Sequence, residues 1–118
     1  MTGKNVLFYK GHFRSPVGSI EELLKWKGSY HVLERNHEYI QWLFPNYFSS
    51  RFNPDADPLS RTESREFRRD PEIAQRYFES YNLFLDFLGL EILDPRTGEI
   101  RRAPGGARRL HQALVENP

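Results

Sequence analysis

The chain contains no cysteine. Disulfide frameworks, thiolate nucleophiles and cysteine-ligated zinc are excluded, so noncovalent packing alone must hold its 118 residues together. Long apolar runs are missing too. Nothing approaches the roughly 18 to 20 residues of a membrane span, and the apolar stretch in MTGKNVLFYKGHF is too short for a secretory signal. A surplus of one charge is also absent, since seventeen Lys and Arg face sixteen Asp and Glu. No global field therefore attracts nucleic acid. These absences lead to the expectation of a soluble intracellular protein, cytoplasmic or nuclear, that meets a membrane only peripherally.

Catalytic patterns are equally scarce. Of the four histidines, His12, His31, His37 and His111, no two stand four residues apart, and HEYIQ lacks the second histidine of a metalloprotease helix. His31 and His37 lie about 240° apart on a helical wheel, too far round to share an ion. No serine sits in a nucleophile elbow, and no glycine pattern cradles phosphate. Gly105–Gly106 reads as a flexible joint, and Asp55 and Asp57 read as turn residues of a proline loop. The chain is expected to be no enzyme, with no cofactor and no metal.

What is abundant is aromatic area. Phe, Trp and Tyr make up 14% of the chain, which offsets a hydrophobic content of only 38%. The richest stretch is WKGSYHVLERNHEYIQWLFP, Trp26 to Pro45. Steps of about 100° predict one central helix over residues 30–44, with Val32, Leu33, Asn36, Tyr39, Ile40, Leu43 and Phe44 on one face and Trp42 behind it. Ser29 is its expected cap and Pro45 its stop.

Elsewhere, Asn5 to Tyr9 is β-prone and reads as a strand or extended arm. Gly11 to Gly18 reads as loop. Ser19 with Glu22 forms a capping box for a short helix bearing Ile20, Leu23 and Leu24, ended by Gly28. After an expected loop over Asn46 to Leu59, Ser60 and Glu63 open the helix RTESREFRR, anchored by Phe67. Asp70 and Pro71 begin the most periodic helix, whose core face is read as Ile73, Ala74, Tyr77, Phe78, Tyr81, Phe84, Leu85 and Leu88, closed by Gly89. LEILDPRTGEIRR reads as a β-hairpin. A last helical turn, Arg108 to Glu116, carries Leu110 and Leu114. The expected fold is mainly α: a compact single-domain helical bundle of about four to five helices with a small β-hairpin near the C-terminus.

Asn36 is the local inconsistency, a polar amide inside an apolar face. It either ties or caps a helix end or lies at the floor of a cleft with His37, Tyr39, Gln41 and Trp42. Trp42 and Trp26 are each either core or binding platform. A second feature is the basic group Arg101, Arg102, Arg108 and Arg109 near the C-terminus, either a solvated face or a patch for an anionic partner.

NHEYIQWLFP resembles the signature of the opioid growth factor receptor conserved domain. GSIEELLKWKGSYHVLERNHEYIQWLFPNY is similar to that family's helix–glycine–helix core. PLSRTESREFRRDPEIAQRYFESYNLFLDFLGLEILDPRTGEIRRA is similar to its continuation, so the match runs from about Asn5 to Ala103. The resemblance implies a receptor unrelated to heptahelical opioid receptors, binding Met-enkephalin at the nuclear periphery and restraining growth, with a membrane-associated term. It supplies no catalytic or peptide-contact residues. It also implies further apolar helices after the hairpin, where this chain reads LHQALVENP. Residues 1–118 are thus expected to be one such domain lacking those helices, with exposed apolar surface that favours homo-oligomers.

Three functional readings follow. The first is a non-enzymatic peptide- or protein-binding domain whose groove lies between the central and aromatic helices, with Asn36, His37, Tyr39, Gln41 and Trp42 as contacts. The second is a nucleic-acid module using Arg61, Arg65, Arg68 and Arg69 with the C-terminal arginines. Glu63, Glu66, Asp70 and Glu72 interrupt the first group and make nucleic acid the less favoured partner. The third is an enzyme using His37 with a distant acid.

Overall fold

The computed structural model describes residues 3–46 and 58–111, without the side chains of Ala107, Leu110 and His111. Pro54, Asp55, Asp57 and Leu114 lie outside the described residues. Among the described residues seven helices, more than the four to five expected, and one hairpin follow in order: α1 Lys4–Tyr9, α2 Ile20–Leu24, α3 Tyr30–Arg35, α4 Tyr39–Leu43, α5 Arg61–Arg69, α6 Pro71–Phe87, β1 Leu90–Asp94, β2 Glu99–Arg102 and α7 Gly106–His111. The mainly α architecture with a small antiparallel hairpin agrees with the sequence. Three local expectations do not.

The first concerns the N-terminal segment, which is a helix and not a strand. Six residues cannot hold a helix in water unaided, and α1 is held from outside. Its N-cap, Gly3, contributes no side-chain bond. Glu63, 4% exposed, substitutes for it: Oε2 accepts from Val6 N at 3.1 Å and Oε1 from Asn5 Nδ2 at 3.1 Å. A Cβ at Gly3 would run into that carboxylate. At the other end, Arg76 donates to the Tyr9 carbonyl at 2.6 Å. An anion at the N-terminus and a cation at the C-terminus both complement the helix dipole. The Tyr9 hydroxyl then donates to the Leu43 carbonyl at 2.6 Å and lies 2.8 Å from Ser80 Oγ, joining α1 to α4 and α6.

The second correction is that the central helix is not one rod. Asn36 takes φ −118° and ψ 78°, and α3 ends there. Its backbone N–H and its Nδ2 both reach the Val32 carbonyl at 3.1 Å, so the amide caps a helix end. The chain restarts helical at Tyr39, and the break resets the phase. Trp42, placed behind the apolar face of a continuous helix, turns inward to 1% exposure, while Ile40 turns outward. Ser29 precedes α3 without a side-chain capping bond, and α4 ends before Pro45.

The third correction concerns α6. Its buried residues are Ile73, Ser80, Leu83, Leu85 and Phe87, with Phe84 and Leu88 half-buried against the core, whereas Ala74, Tyr77, Phe78 and Tyr81 are exposed. The apolar residues of this helix form two stripes, and the core uses the one containing Ile73, Ser80 and Phe87. That core brings together Phe8, Tyr9, Ile20, Leu23, Leu33, Tyr39, Trp42 and Leu43 from the other helices. Trp42 packs tilted on Phe8 and Phe13 with centroids 5.6 and 5.7 Å away.

The capping signals hold as written. Ser19 with Glu22 and Ser60 with Glu63 both form complete capping boxes, and Asp70 accepts from Glu72 N and Ile73 N ahead of Pro71. The hairpin pairs Ile92 with Ile100 and turns through Gly98 at φ +78°. Gly105–Gly106 is more than a joint, since α7 begins at Gly106. A Cβ on Gly106 would collide with the Gly89 carbonyl, and one on Gly89 with that of Gly106, so this contact requires two glycines.

Two outcomes are expected. Glu63→Ala strips the bonds to Val6, Asn5 and the Ser60 backbone, and is expected to cost about 3 kcal/mol in urea unfolding, with early proteolysis near residues 3–10. Equal stability of Glu63→Ala and the parent would contradict the clamp. Asp70 accepts from Lys10 Nζ at 2.7 Å, which with the cap bonds holds its carboxyl below the usual aspartate value. A depressed folded pKa gives stability that is complete above pH about 4 and lost as pH falls through the lower folded value. Asp70→Asn is therefore expected to flatten the acid limb of the urea midpoint against pH.

Candidate functional site

The residues singled out around Asn36 separate into two groups. Asn36 and His37 are exposed at the α3–α4 elbow, and Gln41 is half-buried beside them. Tyr39 and Trp42 are interior, each 1% exposed, so they shape the elbow from below and present no surface. Tyr39 sets its ring edge-on to Trp26 at 6.0 Å, and burial pushes its phenol up to about 12. Two buried polar atoms here, Tyr39 Oη and Gln41 Nε2, have no hydrogen-bond partner among the described residues.

Next to the elbow the sequence reading missed a surface. Ile40 stands one turn before Phe44, whose ring meets Tyr77 at 6.0 Å and Phe84 at 5.6 Å. Ile40, Tyr77, Phe78 and Tyr81 are 37%, 38%, 38% and 40% exposed. Together they form an aromatic strip leading from the elbow onto α6. Phe78 also lines a cleft of about 380 Å³ with Leu24, Lys27, Gln75, Glu79 and Asn82. The signal was present in the sequence: α6 carries more apolar residues than one buried stripe can absorb.

The C-terminal arginines take different positions. Arg109, 12% exposed at its side chain, donates to Glu34 Oε1 at 2.8 Å and to the Phe87 carbonyl at 3.0 Å. Its guanidinium lies over the Tyr30 ring at 4.2 Å and near that of Phe87 at 5.2 Å. It is a clamp joining α7 to α3 and α6. Arg101 pairs with Glu91 at 2.6 Å. Arg102 and Arg108 remain exposed. Arg108, Arg109, Tyr30 and Asp86 line a cavity of about 240 Å³ against Gly89 and Pro104.

His37 is exposed, and among the described residues it forms no ion pair with a carboxylate. Among the described residues, no three His, Asp or Glu side chains gather where they would hold a metal, and no helix is long and apolar enough to cross a membrane.

Comparison with known proteins was informative for the whole chain. The family described as "Opioid growth factor receptor (OGFr) conserved region" matches residues 2–117, further at both ends than the motifs above. "Opioid growth factor receptor-like protein 1" of Xenopus tropicalis is 43% identical over 103 residues, 85% of this chain and 20% of the relative. The Mus musculus protein of the same name is 41% identical over 102 residues, covering 84% and 22%. "Opioid growth factor receptor" of Homo sapiens is 39% identical over 108 residues, covering 89% and 16%. The chain thus spans about a fifth of these relatives' length. No solved structure matches it.

Two buried tyrosines make a controlled pair. Tyr9→Phe leaves the Leu43 carbonyl without its donor and is expected to cost about 1–3 kcal/mol. Tyr39→Phe removes a hydroxyl that has no partner and is expected to leave the urea midpoint unchanged or slightly raised. A loss at Tyr39 equal to that at Tyr9 would mean that an ordered water holds the Tyr39 hydroxyl.

Proposed function

This chain belongs to the opioid growth factor receptor family, and from that premise we propose that it is a non-enzymatic domain that binds a peptide or protein partner. The observation that carries the reading is the outward aromatic strip Ile40–Phe44–Tyr77–Tyr81 beside the polar elbow. A well-packed helical domain gains nothing in solution from leaving Tyr77 and Tyr81 at about two-fifths exposure, whereas recognition surfaces use such rings with polar groups at their rim. In this reading Asn36, His37 and Gln41 are the polar contacts. Tyr39 and Trp42 fix the elbow from within, so their substitution acts through the fold. The relatives are named receptors for an opioid growth factor, which makes a short peptide the natural first probe.

Titrating the chain with Met-enkephalin and unrelated pentapeptides, followed by amide chemical shifts, tests this. Perturbations are expected over residues 36–41 and 77–81. Tyr81→Ser is expected to weaken binding about tenfold while moving stability by less than about 0.5 kcal/mol, as for an exposed site. Trp42→Ala, by contrast, is expected to cost about 3–5 kcal/mol. Saturable shifts confined to another face, or none from any peptide or self-association, would remove the reading.

A further inference from the structure

Helix α5 is amphipathic by charge and not by apolarity. Steps of about 100° place Arg61, Arg65, Arg68 and Arg69 within one sector of its surface, and all four side chains are exposed. In the sequence these arginines are diluted by Glu63, Glu66, Asp70 and Glu72. The fold removes most of that dilution, leaving Glu66 exposed at the stripe's edge. Glu63 turns inward and caps α1 and α5. Asp70 caps α6 and pairs with Lys10, and Glu72 pairs with Arg76 at 3.1 Å. Glu66 lines the cleft that Lys10 and Thr62 share with α1. Among the described residues no carboxylate forms an ion pair with any of the four arginines. A chain of net charge +1 thus carries a concentrated basic stripe on one helix.

We propose that the α5 stripe of Arg61, Arg65, Arg68 and Arg69 is a docking surface for the phosphate backbone of a nucleic-acid duplex, independent of the peptide surface above. Three features select this occupant. All four bases are arginine, whose planar fork pairs bidentately with phosphate oxygens where lysine offers only a point charge. The stripe spans about 12 Å at a rise of about 1.5 Å per residue, a length that lets its forks reach neighbouring phosphates along one strand of a duplex. Among the described residues no exposed aromatic side chain stands within the stripe, since Phe67 turns inward onto Tyr9 and Tyr77. Single strands are held by stacking on such rings, and membranes by apolar insertion beside the charges, so both fit this face poorly. The C-terminal arginines are not part of the stripe, because Arg109 is fixed on Phe87 and Glu34 at the far end of α6.

Binding to short duplexes of mixed sequence, DNA and RNA, measured by fluorescence anisotropy against salt, tests the proposal. Sequence-independent affinity is expected, about 10⁻⁶–10⁻⁴ M near physiological salt, with a slope of log K on log salt of about −3 to −4. Arg61→Gln with Arg65→Gln keeps good helix formers at exposed positions. It is expected to weaken both duplexes at least tenfold and to reduce the slope by about 1 per arginine, with the urea midpoint and the peptide-induced shifts unchanged. Arg35→Gln, an exposed arginine on α3, is expected to change neither. The proposal is overturned by absence of duplex binding at low salt, or by equal losses from the stripe variant and Arg35→Gln. It is also overturned if phosphatidylserine vesicles, polyglutamate or a single strand bind more tightly than either duplex.

Discussion

The arrangement depends on α1 being held at both ends by charges from distant helices. Glu63 supplies the missing N-terminal cap, and Arg76 closes the C-terminal carbonyl while also pairing with Glu21 and Glu72. A six-residue helix does not persist alone. Fixed in this way, it carries Val6, Phe8 and Tyr9 into the centre of the molecule, where Phe8 meets Trp42 and Tyr9 meets Phe67 and Tyr77. The Tyr9 hydroxyl then binds the last turn of α4 to the middle of α6. Helix α1 thus ties α4, α5 and α6 together, while α5 also packs directly on α6.

The break at Asn36 has consequences for both core and surface. A continuous helix would have exposed an indole and buried an isoleucine. Ending α3 and restarting at Tyr39 exchanges them, filling the core with the largest available side chain and leaving Ile40 beside Phe44 on the outside. The same step places Asn36 and His37 at an exposed corner. The aromatic strip and the polar elbow thus share one origin, the residue that looked out of place in the apolar pattern.

Charge is distributed by the same logic. The acids of the α5 region serve as caps and partners: Glu63 for α1 and α5, Asp70 for α6 and Lys10, Glu72 for Arg76. The arginines beside them have no such duty and face outward together. At the C-terminus the reverse holds. Arg101 and Arg109 look in sequence like part of a basic patch, yet one pairs across the hairpin and the other clamps two aromatic rings. Charge counted along the chain misjudged both clusters, because folding decides which charges are neutralised.

Most features governed by neighbours in sequence were legible from sequence; the break at Asn36, whose amide bonds Val32 only four residues back, was the exception. Both capping boxes, the Asp70–Pro71 helix start, the Gly98 hairpin turn and the extent of α6 all depend on contacts within about four residues. The family was legible too, from NHEYIQWLFP and the segments around it. Only the tertiary structure decided the rest, because each remaining decision involves a partner far along the chain. Lys4–Tyr9 is helical because of Glu63 and Arg76, neither of which its own residues announce. α6 could bury only one of its two apolar stripes, and the positions of α1, α2 and α4 determined which. The arginines of α5 became a stripe because Glu63, Asp70 and Glu72 found other partners. Short-range signals set where helices begin and end; long-range hydrogen bonds and ion pairs set which faces remain open to a partner.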